Sequence, residues 1–232
     1  MLYNICGLNV FYEPKYERTR KRSEKYLASN QNLKPDITLE VTDERIENYI
    51  KVFQNVPPSL AEYCIYGAIF YEAILDYDAF FLHSSAVAVD NKAYLFTADS
   101  GTGKSTHSAL WMKYFGDRAV MINDDKPVIR MIDGSLYACG TPFSGKNDIN
   151  KNILVPLQGI CHLNRGIKNE IKEISPKEAL NIIINQTLRL EDKNKMINLF
   201  TILDKVLRNV KVYALYCDIS REAVETSYNG MK

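Results

Sequence analysis

Short apolar runs set off by polar punctuation dominate the middle of the chain. FFLHSSAVAV, Asp90-Asn91-Lys92 and KAYLFTA follow one another directly, which predicts two strands joined by a hairpin turn. Beyond a glycine-rich stretch, STHSALWMKYF has the apolar spacing of a helix, with Gly116 as its stop and AVMIN as the next strand. PVIRMIDGSLYACG reads as a second hairpin around Asp133-Gly134, and VPLQGICHLNR as a further strand. SPKEALNIIINQTL, with Pro176 in its first turn, and KMINLFTILDKVLRN read as helices, and VKVYALYC as a strand before a last short helix.

The first eighty residues have a different character. YNICGLNVFYE and DITLEV predict strands, and ERIENYIKVFQN predicts a helix closed by Pro57 and Pro58. Ser59 is a fair N-cap for the following helix, which sets Leu60, Tyr63, Cys64, Gly67 and Phe70 on one side. The expected organisation is an α/β unit over 81–232, with a small α+β extension, 1–80, packed on it. The apolar stretch YCIYGAIFYEAILDYDAFFL is interrupted by Glu72, Asp76 and Asp78, so it predicts a buried helix and no membrane partner.

Composition narrows the function classes. The chain has 232 residues, 25% of them charged, and a formal net charge of +1, so no global field points to nucleic acid. The basic run PKYERTRKRSEKY also carries Glu17 and Glu24 and reads as a solvated helix face or loop; an acidic-partner patch is the other reading. Five scattered cysteines without a CxxC pair argue against a disulfide scaffold or a zinc site. The opening MLYNICGLNVFYEPK lacks the pattern of a signal peptide, so a cytoplasmic setting is expected. A homo-oligomer stays open.

The candidate chemistry sits in ADSGTGKS, between a predicted strand and a predicted helix. Gly103, Lys104 and Ser105 occupy the end of the phosphate-loop pattern, with Gly101 inside it and Ala98 where the pattern has its first glycine. Alanine suffices there unless the backbone needs positive φ. The N–H groups of Ser100, Gly101, Thr102, Gly103, Lys104, Ser105 and Thr106 would converge on an anion at a helix N-terminus. Lys104 adds a charge for the β and γ phosphates, and the Ser105 hydroxyl suits Mg²⁺. The competing reading is a polar loop that only caps its helix. Downstream, AVMINDDKP ends a strand in Asp124 and Asp125, carboxylates suited to metal and water ordering or to accepting a hydroxyl proton. Its alternative is a plain turn.

With these residues together, the stretch from His83 to about Arg165 resembles the kinase domain of HPr kinase/phosphorylase and its smaller relatives, a group related in fold to phosphoenolpyruvate carboxykinase. The resemblance rests on LHSS, ADSGTGKS and INDDKP, with His83 fifteen residues before Ala98. It implies a P-loop kinase fold that binds ATP and Mg²⁺ and phosphorylates a hydroxyl, of Ser or Thr in a peptide or protein or of a small molecule. It implies that Asp125 accepts the proton, assisted by Asp124 and His83, with Lys104 as the loop lysine, and that Ser105 and Asp124 meet the metal. Residues 1–80 do not resemble the family's N-terminal domain. CGTPFSGK stands where the family has a segment supplying a further metal-binding glutamate. Two other classes remain: a non-catalytic nucleotide-binding protein and a carboxykinase-like enzyme acting on a small acid.

His107 is expected to be exposed and His162 to be a satisfied core residue. Lys146 in GTPFSGK belongs either to a substrate-facing loop or to a plain one. Arg130 and Arg165 end strands and would suit a transferred phosphoryl group, though surface roles are commoner. Trp111 and Phe115 are expected in the core.

Overall fold

The longest strand, β10 (Leu154–Arg165), organises the molecule, in which a computed structural model describes residues 1–232. Its first three residues pair antiparallel with β9 (Ser135–Cys139). The rest runs parallel between β6 (Lys92–Thr97) and β12 (Val212–Cys217). The complete sheet has nine strands: β4 (Ala79–Phe81), β8 (Val128–Ile132), β9, β10, β6, β5 (Ser84–Val89) and β7 (Ala119–Asp125) in one path, with β12 and then β11 (Glu170–Glu173) added beside β10. The chain is thus mixed α/β. The predicted hairpins 84–97 and 128–139 are present, their turns at Asp90-Asn91 and Asp133-Gly134 all at positive φ.

Helices cover both faces because the strands are apolar on both; every residue of β5 is buried. α5 (Pro176–Ile184) and α6 (Lys193–Asn209) close one core through Ala179, Ile183, Leu199, Leu203 and Val206. On the other face α4 (Lys104–Phe115) and α7 (Arg221–Met231) enclose Trp111, Phe96, Tyr94 and Val224. Trp111 and Phe115 are core residues, as expected. The α5 start is a full capping box of Ser175 and Glu178.

The N-terminal part builds a small sheet from β1 (Leu2–Ile5), β2 (Leu8–Phe11) and β3 (Ile37–Thr38). The stretch DITLEV yields only the two-residue β3, since only Val10 and Phe11 of β2 offer it partners. This sheet packs with α3 (Pro58–Ala73) in one aromatic-rich core that extends to Val128, Cys139 and Phe143 of the main unit. The basic run forms α1 (Glu17–Ser23), anchored by buried Thr19 and Ser23. α2 (Asp43–Val52) is capped by the Thr42 hydroxyl, which accepts from the Arg45 N–H. Ser59 does not cap α3: Pro57 takes the cap position and Pro58 the first turn, where a missing N–H costs nothing. Nor is α3 buried on one side alone, since Ala61, Tyr63, Ile65, Tyr66 and Phe70 are all inside while Leu60 and Cys64 are only partly covered. No helix is long and apolar enough to cross a membrane.

Candidate active site

Strand register assembles the site. β5 lies antiparallel between β6 and β7, pairing Ser84 with Thr97 and Asp125, and Ser85 with Asp124. The start of β5 therefore meets the ends of β6 and β7 at one edge of the sheet. The parallel strands β10 and β12 end at the same edge, the end of such sheets where ligands usually bind. The three motifs read from the sequence are brought together here.

Residues 98–103 turn from β6 into α4, with Gly101 at φ 78° and Gly103 at φ 119°. Open space at both glycines would admit a Cβ, so the backbone conformation, not crowding, selects glycine. Ala98 is buried at ordinary negative φ, so the missing first glycine leaves no strain. The Lys104 ammonium donates back to the Ala98 carbonyl at 3.1 Å. Burial lowers the pKa of Lys104 despite the opposing pull of Asp125, Asp124 and Asp99.

The adjacent aspartates have different partners. The Asp124 carboxylate accepts from the Ser85 hydroxyl and, at 3.3 Å to each oxygen, from the Ser105 hydroxyl. Asp125 faces His83, with Oδ1 3.1 Å from Nε2. Burial pushes the Asp125 pKa up, but the His83 hydrogen bond and the charges of Lys126 and Lys104 outweigh it and hold the carboxyl below its usual range. His83 is held from behind: its N–H donates to the Gln186 carbonyl at 2.7 Å, and Nδ1 lies 3.0 Å from Gln186 Oε1. An amide can turn either its oxygen or its NH₂ to the ring, so Gln186 can partner either tautomer at Nδ1.

Two clefts flank the glycine turn. One, of about 340 Å³, is lined by Ser85, Lys104, Ser105, Asp124, Asp125 and the 145–149 loop. The other, of about 510 Å³, lies between Gly101–Gly103, Thr106, His107 and the loops after β10 and β12. Arg165 reaches the turn there, donating to the Gly101 carbonyl at 2.7 Å. Arg130 is turned away, toward the Cys6 carbonyl at 2.7 Å.

Two histidine expectations are corrected. His107 is 4% exposed, packed edge-to-face on Phe96 and accepting at Nε2 from the Trp111 indole N–H. Desolvation lowers its pKa to about 4. The cause is α4 itself, which sets residues 107 and 111 one turn apart on its core side. His162 is only half-buried, and its Nδ1 has no partner.

Several residues of the site carry no sequence signal of their own. Ser85 shares LHSS with His83, and only the pairing with β7 gives it Asp124. Gln186 follows α5, over a hundred positions from His83. Arg22 lies hidden in the basic run, yet it holds the loop that faces the aspartates.

A magnesium ion fits the donor set present. Ser105 and Asp124 are hard oxygen donors placed together, as suits a cation that completes its shell with phosphates and water. No three His, Cys, Asp or Glu side chains form a cage of their own.

No protein-family model matches the sequence, and no curated protein matches it. Among solved structures, the HPr(Ser) kinase/phosphatase from Coxiella burnetii is similar over 65% of this chain and 95% of its own, at 11% identity and a TM-score of 0.35. A likeness of that degree assigns neither family nor activity.

Proposed function

We propose that the chain binds Mg-ATP on the 98–106 turn and transfers the γ-phosphoryl group to a hydroxyl, that of Ser or Thr in a peptide or protein. The observation that carries this reading is that Asp124 and Asp125, neighbours in sequence, have different partners. Asp124 meets the Ser85 and Ser105 hydroxyls, as suits a metal site, and Asp125 meets His83, as suits a base, both in the cleft that Lys104 lines. A plain turn has no use for that arrangement.

The larger cleft beside Thr106 and Arg165 would take the nucleoside, while the turn amides and Lys104 hold the phosphates. Ser105 and Asp124 would hold Mg²⁺, which supplies neutralisation of the phosphate charge. The acceptor hydroxyl enters the smaller cleft at Asp125. Its oxygen bonds to the γ phosphorus as the bridging P–O bond breaks to release ADP, and its proton passes to the Asp125 carboxylate. A carboxylate held below its usual pKa is ionised and ready at neutral pH, and becomes the stronger partner only as the hydroxyl loses electrons to phosphorus. His83 keeps that carboxylate oriented and stabilises its charge. Most of the catalysis is positioning and charge stabilisation.

Residues 81–232 would carry this chemistry, with residues 1–80 packed against them. A carboxykinase-like reading finds less support, because the guanidinium groups of Arg22 and Arg130 are spent on backbone carbonyls. Calorimetry of ATP binding to the parent and to Lys104→Ala, each with and without Mg²⁺, tests the nucleotide site. Tight binding only by the parent with Mg²⁺ is expected; equal affinities in all four cases would refute it.

A further inference from the structure

Opposite the glycine turn, the smaller cleft is walled by Gly145, Lys146, Asn147 and Ile149, a segment that the transfer chemistry above leaves without a task. Residues 145–148 form a tight turn closed by the Asp148 N–H on the Gly145 carbonyl at 3.2 Å. Its polarity is arranged from outside. The guanidinium of Arg22, on α1, donates to the carbonyls of Ser144, Gly145 and Lys146 at 3.3, 3.1 and 3.1 Å. That guanidinium is fixed in turn by the Tyr63 hydroxyl at 2.7 Å and lies over the Tyr63 ring; its side chain is only 11% exposed.

Three consecutive carbonyls are thus committed to one cation. The nearby carboxylate, Asp148, is occupied as well: it accepts from Ser144 and Asn150 and lies within ion-pair distance of Arg22 and Lys25. Several donors of the turn remain without a partner. The N–H groups of Lys146 and Asn147 reach no acceptor in the chain, and the Lys146 ammonium has neither a hydrogen bond nor an ion pair. The Gly145 N–H, by contrast, ties the turn to the Asp124 carbonyl at 3.0 Å, fixing its distance from the aspartates. A cluster of N–H groups with a cation is the chemistry that recognises an oxyanion, in a cleft that Asp124 and Asp125 also line.

We infer that the 145–147 turn with Lys146 is a second oxyanion-binding element facing the phosphate loop, and that Arg22 is the positioning residue that orients it. The reading rests on the proposed transfer reaction only for the source of the oxyanion, which is either the γ-phosphoryl group of the nucleotide or a carboxylate flanking the acceptor hydroxyl. It also gives the N-terminal extension a part in the reaction.

The test uses the whole chain and the variants Lys146→Ala, Lys146→Arg and Arg22→Ala. One arm compares the affinities of Mg-ADP and a non-hydrolysable Mg-ATP analogue. A second compares two serine peptides, flanked by Glu or by Gln, on the Mg-ADP-loaded protein. A third titrates inorganic phosphate into the unliganded protein. Lys146→Ala and Arg22→Ala should each lose about tenfold in phosphate affinity, together with either the γ-phosphate-dependent preference or the Glu-over-Gln preference, while Mg-ADP affinity is kept. Lys146→Arg should keep parent values. Lys146 is exposed, so its truncation leaves the fold intact even if Arg22→Ala does not. Parent-like values in all three arms for Lys146→Ala would overturn the inference. Failure of the parent to bind Mg-ADP would count against the nucleotide reading, and the phosphate titration would still decide this one.

Discussion

Asp125 and Gly145 pack directly against each other in the site. Asp125 sits at φ 115°, a backbone region that L-residues rarely adopt, and a Cβ on Gly145 would lie 3.1 Å from the Cβ of Asp125. The missing side chain leaves room for an aspartate whose backbone has turned out of the regular strand. Strain of this kind persists where the surroundings impose it. Here they include the Gly145 N–H on the Asp124 carbonyl and the Ile149 carbonyl on the Asp124 N–H.

Gly145→Ala should therefore move Asp125 without touching the phosphate loop. The expected outcome is a loss of phosphoryl transfer of roughly 10²-fold, the scale for a misplaced catalytic group, with Mg-ATP affinity within twofold of the parent. Steady-state transfer and calorimetry on the same preparation check both halves.

Ala98→Gly should change little. Alanine at negative φ already satisfies the turn, so restoring the glycine adds no conformational access and gives up only a buried methyl group. Affinity for Mg-ATP within about threefold of the parent is expected; a tenfold gain would mean that the alanine impairs the loop.

His107 makes stability depend on pH. Its pKa of about 4 in the fold lies below the ordinary histidine value near 6.5, so the unfolded chain binds the proton first as pH falls. Its contribution is fully present above about pH 6.5 and is lost as pH drops toward 4, by roughly 3 kcal/mol in total. Urea unfolding at pH 7.5 and pH 5 should show a smaller difference for His107→Phe than for the parent. His162, whose pKa is also lowered by burial, contributes with the same sign in both proteins and cancels in the comparison.

Much of this architecture was legible because local chemistry and tertiary role coincide. Asp90-Asn91 and Asp133-Gly134 announce hairpins, Gly116 ends α4 at positive φ, and the Ser175–Glu178 box starts α5. The strand–turn–helix setting of 92–115 follows from the same signals. β11 was not legible: Glu-Ile-Lys-Glu is a polar edge strand whose pairing with β12 lies over forty residues away. His107 reads as exposed in a first helical turn because polar residues gather there, and only Phe96 and Trp111 put it inside. The partners of the site residues were hidden for the same reason. Ser85, Gln186 and Arg22 acquire their roles through contacts across 39, 103 and 122 positions or more. The different partners of Asp124 and Asp125 do follow from their being neighbours on a strand, but the turned backbone of Asp125 does not.

The central claim is that Asp125 takes the acceptor proton while Asp124 works at the metal. Asp125→Asn keeps the shape and removes the base, and the direct measurement is single-turnover consumption of γ-labelled ATP by the parent, Asp125→Asn and Asp124→Asn at saturating Mg-ATP, with serine peptides as acceptor. The account predicts that Asp125→Asn binds Mg-ATP as the parent does and transfers roughly 10²- to 10⁴-fold more slowly, whereas Asp124→Asn shifts the Mg²⁺ concentration required. Transfer by Asp125→Asn at the parent rate would contradict it.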